Sequence, residues 1–174
     1  IEPGDGFYYT DAITENAVER VEAYARAKAP FFQYVAYTAP HWPMHIPGGD
    51  TAVARYEELY SKGWDVIREE RFRKQVQVGI ADESFRLSSR DEEVPAWANV
   101  ENRTWEIRRM AVYAAMLERV DQGVGQILAS LDRGGILDNT LVLFLSDNGG
   151  SQEDISPKNG FNQRRAASCP TNPR

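Results

Sequence analysis

Hydrophobic residues recur every three or four positions in several stretches of the chain, which is the spacing of one face of an α-helix. The pattern predicts helices over about 12–29, 52–60, 64–78 and 104–131. The last has the strongest pattern, and its apolar stripe comprises Met110, Tyr113, Leu117, Val120, Val124, Ile127 and Leu131. Two glycines inside this helix, Gly123 and Gly125, indicate close helix packing rather than a phosphate-binding loop.

Two short apolar runs predict strands instead. Phe31–Tyr37 is aromatic and β-branched, whereas Thr140–Leu145 is continuously apolar, as in a strand buried on both faces of a parallel sheet. The helical stretches between the two runs would form the crossover that parallel strands need. We therefore expect an α/β protein with a mainly parallel sheet flanked by helices.

Both predicted strands lead into loops that carry polar side chains. The first loop contains His41 and His45, and the second contains Ser146, Asp147 and Asn148. Ligands of parallel sheets bind outside the carboxyl ends of the strands, so the two loops are expected to lie close together. Asp147 and Asn148 offer hard oxygen ligands for a cation. On the residues alone, an Asp-Asn-Gly sequence also fits an ordinary turn, and a histidine beside prolines also fits a structural role.

Composition narrows the functional classes. The formal net charge of -6 argues against a nucleic-acid partner, whose binding surfaces are usually basic. No apolar run approaches the roughly 20 residues that a membrane span needs. The single cysteine, Cys169, excludes an internal disulfide and a cysteine metal cage. An anionic substrate remains compatible with the charge, because a metal ion supplies positive charge locally.

Four segments, taken in order along the chain, resemble the sulfatase family and in particular its arylsulfatases. These segments are Phe7–Thr14, Pro30–Pro47, Tyr56–Glu69 with its Gly-Trp-Asp sequence, and Tyr113–Gly150. The resemblance implies a partial alkaline-phosphatase-like fold, in which residues 1–150 are the central part of a sulfatase catalytic domain. Residues 151–174 lose all periodicity and are expected to be an irregular tail, either a loop or non-native sequence.

The resemblance also implies a chemistry. Sulfatases hydrolyse sulfate monoesters with a formylglycine nucleophile, made from a Cys or Ser in a C-x-P-x-R signature, and with Ca²⁺ rather than Mg²⁺. Asp147 and Asn148 match metal ligands of the family, and His41 matches the histidine that contacts the sulfate near its bridging oxygen. The implied partner is a small sulfate ester or a sulfated glycan. A periplasmic or extracellular location is favoured, and the oligomeric state is left open.

The chain departs from the family pattern in ways that affect its activity. It contains no C-x-P-x-R signature, since Cys169 has the wrong spacing, and no counterpart of the paired aspartates that complete the metal site. We therefore expect this chain alone to lack sulfatase activity and to bind calcium weakly. Two alternatives stay open, namely a phosphoester or phosphonate hydrolase of the same superfamily and a non-catalytic remnant that acts as a binding module.

Overall fold

The computed structural model describes residues 6–149, and helices dominate this part of the chain. Its α-helices are α1 (Tyr9–Ala27), α2 (Gly49–Tyr60), α3 (Trp64–Gln77) and α4 (Arg103–Arg133), and short 3-10 helices cover Trp97–Asn99 and Leu137–Asn139. The helical periodicity of the sequence therefore predicted all four α-helices. No helix within these residues is long and apolar enough to cross a bilayer.

The predicted sheet is not found in residues 6–149, which contain no strand. The expectation of a mainly parallel sheet flanked by helices is therefore wrong for this part of the chain. Phe31–Tyr37 and Thr140–Leu145 both lie outside regular secondary structure. An apolar run specifies an extended backbone, but a strand also needs a hydrogen-bonded neighbour, and the run does not specify that neighbour.

The local conformation of Phe31–Tyr37 nevertheless has the two-residue period of a strand. Its side chains alternate between half-buried and exposed from one residue to the next. Phe32 and Tyr34 point outward, with 88% and 80% of their surface exposed. The segment therefore has the side-chain alternation of an extended backbone, but within residues 6–149 it pairs with no neighbouring strand.

Residues 6–43 and 119–149 belong to one compact unit, called here the first unit. Its core contains Ala17 and Val21 from α1 together with Val120 and Leu131 from α4, all of them buried. These positions recur at helical spacing in each element, so the apolar stripe of the sequence accounts for this packing.

Residues 44–118 belong to a second unit, built from α2, α3 and the first part of α4. Its buried apolar residues are Val53, Ile67, Ala111, Val112, Ala115 and Met116. The apolar stripe assigned to α4 is wrong here, because Tyr113 and Leu117 are 40% and 44% exposed. The smaller Ala111 and Ala115 occupy the core instead, since a helix that packs closely needs small side chains at the contact.

The loop that precedes α4 is attached to the start of α3. The carboxylate of Asp65 accepts hydrogen bonds from the backbone N–H of Trp97 at 2.8 Å and from the guanidinium of Arg90 at 3.1 Å. The indole N–H of Trp64 donates to the carbonyl oxygen of Pro95 at 3.1 Å. The Gly-Trp-Asp sequence therefore has a structural role, because its tryptophan and aspartate both hold this loop.

Candidate active-site residues

His41 is exposed and lies in a turn that follows the Phe31–Tyr37 segment. Its backbone N–H donates to the carbonyl oxygen of Thr38 at 2.9 Å, which closes the turn. The imidazole Nδ1 lies 2.8 Å from the carbonyl oxygen of Trp42. A carbonyl oxygen only accepts hydrogen bonds, so Nδ1 carries the proton in this contact and Nε2 is the nitrogen offered to a ligand.

The segment that leads to His41 is attached to α1 by alternate residues. Three contacts share this arrangement: the ring of Phe31 stacks on Tyr24 at 4.7 Å, Gln33 donates to the Ala17 carbonyl at 3.3 Å, and the Tyr37 hydroxyl lies 2.8 Å from Thr14 Oγ1. The contacts follow the two-residue period of the segment and descend α1 as the segment advances. Helix α1 therefore sets the register of the segment and the place where the His41 turn begins.

Asp147 and Asn148 lie in the exposed bend that follows Thr140–Leu145. The side-chain nitrogen of Asn148 donates to the carbonyl oxygen of Gly149 at 2.7 Å, and Ser146 Oγ donates to the carbonyl oxygen of Asn148 at 2.7 Å. The amide nitrogen of Asn148 has no lone pair to offer, so Oδ1 is the side-chain atom available to a cation.

The donor chemistry of this bend suits calcium. The carboxylate of Asp147 and the amide oxygen of Asn148 are hard oxygen donors, but Ca²⁺ takes about six to eight oxygens. Residues 6–149 contain no group of three or more His, Cys, Asp or Glu side chains that could hold a metal ion. The two side chains therefore have the donor type that calcium prefers, but they supply only part of its coordination shell.

His41, Asp147 and Asn148 are all exposed. Within the described residues, no hydrogen bond or ion pair joins His41 to Asp147 or Asn148. The expected proximity rested on a parallel sheet that this part of the chain lacks, so it stays a prediction. Residues 151–174, with Cys169, lie outside the described residues.

Sequence reasoning missed two residues that support the His41 turn, Thr14 and Tyr37. Their hydroxyls meet above Gly123, which is buried in α4. The interpretation of Gly123 as a close-packing residue is confirmed, whereas Gly125 faces open space. The available signal was the register of Tyr37, which falls on the inward face of an alternating segment.

Comparison with known proteins shows how far the similarity extends. The sulfatase family model matches residues 1–170. An uncharacterized sulfatase of Schizosaccharomyces pombe is 34% identical over 146 residues, which cover 82% of this chain and 26% of that protein. An arylsulfatase of Klebsiella aerogenes is 30% identical over 159 residues, which cover 90% of this chain and 32% of that protein.

A steryl-sulfatase of Rattus norvegicus matches over a shorter stretch, with 44% identity over 45 residues. The chain spans about a quarter to a third of the length of the first two relatives, at 26% and 32%. The family match nevertheless runs along nearly all of the chain and includes His41, Asp147 and Asn148. This chain belongs to the sulfatase family.

Proposed function

We propose that this chain supplies part of the active site of a sulfuric ester hydrolase that cleaves sulfate monoesters, either small esters or sulfated glycans. The observation that carries the proposal is the family match over residues 1–170, combined with the orientation of His41. The Trp42 carbonyl engages Nδ1 of that ring and leaves Nε2 for a ligand. Residues 1–150 are then the central part of a catalytic domain in a periplasmic or extracellular enzyme.

His41 serves the leaving group in this proposal. Cleavage of the bond between sulfur and the bridging oxygen leaves an alkoxide or phenoxide, which needs a proton. In the protonated ring, Nδ1–H donates to the Trp42 carbonyl and Nε2–H donates to the bridging oxygen. The Nε2 proton passes to the leaving oxygen, and the ring becomes neutral with its remaining proton on Nδ1. The Trp42 carbonyl thus favours the tautomer that the product state requires.

Asp147 and Asn148 hold the calcium ion in this proposal. Once bound, a divalent cation offsets the charge on the non-bridging sulfate oxygens. The ligand atom of Asn148 is Oδ1, and the hydrogen bond from its nitrogen to the Gly149 carbonyl fixes the orientation of the amide. The other metal ligands and the formylglycine nucleophile are proposed to lie outside this chain. The chain alone is therefore proposed to be inactive and to bind calcium weakly.

Substrate preference tests this function. A complete sulfatase that contains this chain is assayed for sulfate release from 4-nitrophenyl sulfate and for phosphate release from 4-nitrophenyl phosphate, with the 174-residue chain in parallel. We expect the complete protein to prefer the sulfate ester and the isolated chain to release neither product. A preference for the phosphate ester indicates a phosphoester hydrolase, and no release by the complete protein indicates a binding module.

The metal assignment needs a separate measurement. Calcium content of the complete protein is measured for Asp147→Ala and for Asp138→Ala, whose aspartate is also exposed and precedes the same apolar run. We expect Asp147→Ala to lose calcium and Asp138→Ala to retain it. Equal calcium content in the two variants contradicts the assignment of Asp147.

A further inference from the structure

We infer that the Thr14–Tyr37 hydroxyl pair, seated on Gly123 of α4, is a positioning element for the His41 turn. Thr14 and Gly123 are positioning residues here, because they reach His41 only through Tyr37. The inference rests on the proposed function only for the importance of His41. The geometry itself lies entirely within the first unit and can be tested without any enzymatic activity.

The space above Gly123 is occupied by the two hydroxyls. A Cβ atom at this position would lie 2.6 Å from the Tyr37 hydroxyl oxygen and would overlap Thr14 Oγ1. Both separations are shorter than real Cβ contacts, so any side chain at position 123 displaces at least one hydroxyl. Glycine inside a helix is less favourable than alanine. Helix formation alone would favour alanine at position 123, whereas the hydroxyl pair leaves no room for a Cβ atom there.

The direction of the hydrogen bond follows from the single hydrogen of the Thr14 hydroxyl. Thr14 Oγ1 donates that hydrogen to the Thr10 carbonyl oxygen at 2.9 Å. Toward Tyr37 the same oxygen must accept, so the Tyr37 O–H is the donor across the 2.8 Å contact. Thr10 and Thr14 are only 2% and 3% exposed, so water does not readily replace this partner.

Chain continuity transmits the position of Tyr37 to His41. Thr38 directly follows Tyr37, and its carbonyl oxygen accepts the backbone N–H of His41 at 2.9 Å. A displacement that extends from the Tyr37 ring to its backbone therefore moves the carbonyl group that closes the His41 turn. No other residue separates the anchored tyrosine from that carbonyl.

The imidazole signals of the 174-residue chain provide the test. The chain has two histidines, so a proton–nitrogen correlation spectrum of the rings contains two sets of signals, and His45→Gln assigns them. We expect Gly123→Ala to shift the His41 ring signals and to leave those of His45 in place. Tyr37→Phe is expected to shift the same His41 signals. Gly125→Ala is the matched control, because nothing lies within 4 Å of its added Cβ, and it should shift neither set.

A second control separates positioning from loss of stability. Gly134→Ala strains the first unit elsewhere, because its Cβ would lie 2.8 Å from the Cβ of Ala25. This variant should lower the melting temperature without shifting the His41 signals. Unchanged His41 signals in folded Gly123→Ala and Tyr37→Phe overturn the inference, as do equal shifts in Gly134→Ala. If Gly123→Ala does not fold, Tyr37→Phe alone decides, since it removes only one oxygen atom.

These outcomes do not depend on the proposed function. If the His41 signals shift but the complete enzyme tolerates loss of His41, the positioning element is supported and the catalytic role is contradicted. Unshifted signals combined with a catalytic His41 contradict the positioning element alone.

Discussion

The hydroxyl of Tyr37 lies 2.8 Å from Oγ1 of the buried Thr14, and this contact joins α1 to the segment that leads into the His41 turn. It is one of three contacts along that segment, and it lies at the end nearest the histidine. The helix therefore fixes the start of a turn in which His41 is exposed and Ala39 and Pro40 are half-buried.

The Thr14–Tyr37 contact should contribute measurably to stability. We expect a double-mutant cycle with Thr14→Val and Tyr37→Phe to give a coupling free energy of about 0.5–1.5 kcal/mol, as for a typical partly buried hydrogen bond. Urea unfolding of the wild type, the two single variants and the double variant measures it. Strictly additive losses would show that the two hydroxyls do not interact in solution.

Gly63 should be among the least replaceable residues of the second unit. Its φ of 83° and ψ of 161° fall in a region that is essentially restricted to glycine, and an added Cβ would overlap the ring of Trp97. We expect Gly63→Ala to lower the free energy of unfolding by more than about 2 kcal/mol, since backbone strain of about 1–3 kcal/mol adds to the overlap.

Gly79→Ala is the matched control for this substitution. Gly79 also has a positive φ, of 76°, but nothing lies within 4 Å of its added Cβ. Gly79→Ala should lower the free energy of unfolding by about 1–2 kcal/mol, the cost of a left-handed conformation alone. Equal losses for the two variants would contradict the contact between Gly63 and the Trp97 ring.

Stability should depend on pH through Asp65. The backbone N–H of Trp97, followed by Arg90, holds the pKa of this carboxyl below its ordinary value of 3.8. A carboxyl with a lowered folded-state pKa stabilises the fold above its unfolded-state pKa and loses this effect as the pH falls through the folded-state pKa. The contribution of Asp65 is thus intact above about pH 4 and disappears in more acidic solution.

Asp65→Asn isolates this effect, because asparagine keeps an acceptor for the Trp97 N–H and carries no charge. The difference in urea midpoint between the wild type and Asp65→Asn should be largest near pH 6 and should shrink below about pH 4. A difference that stays constant down to about pH 2 would contradict the claim that a charged Asp65 binds the Trp97 N–H and Arg90.

The Thr140–Leu145 run should promote self-association of the isolated chain. Leu141, Leu143, Phe144 and Leu145 are each at least 72% exposed, and the run has no charge and no proline, as in segments that pair between chains. We expect Leu143→Lys to reduce light scattering at high protein concentration. Ile80→Lys, which replaces a residue that is 76% exposed, should have a smaller effect, because the apolar stretch around Ile80 is interrupted by Gly79 and ends at Asp82.

Periodicity predicted the helices because a helix satisfies its own backbone hydrogen bonds. The stripe that contains Val21 or Leu131 needs only one packing partner, and the sequence carries that information locally. Thr140–Leu145 is different, since a strand is completed by residues distant in sequence, and none of the described residues pairs with it. The apolar pattern of this run could therefore predict an extended segment but not the sheet.

The candidate site could likewise be predicted only in part from the sequence. His41 and Asn148 were identified from residue types and from a family resemblance, and neither source describes their surroundings. The contact of His41 with the Trp42 carbonyl and the Thr14–Tyr37 pair above Gly123 depend on atomic positions. Residue types alone do not reveal that a hydroxyl pair fills the space beside a glycine on another element.

The central claim is that His41 donates a proton to the leaving oxygen of a sulfate ester. Its most direct test compares kcat/KM for phenyl sulfate and 4-nitrophenyl sulfate in a complete sulfatase that carries His41→Gln, with His45→Gln as the control. A poor leaving group depends more on a proton donor. We predict that His41→Gln loses at least about tenfold more activity on phenyl sulfate than on 4-nitrophenyl sulfate, whereas His45→Gln changes both equally. Equal losses on the two substrates in His41→Gln would contradict the claim.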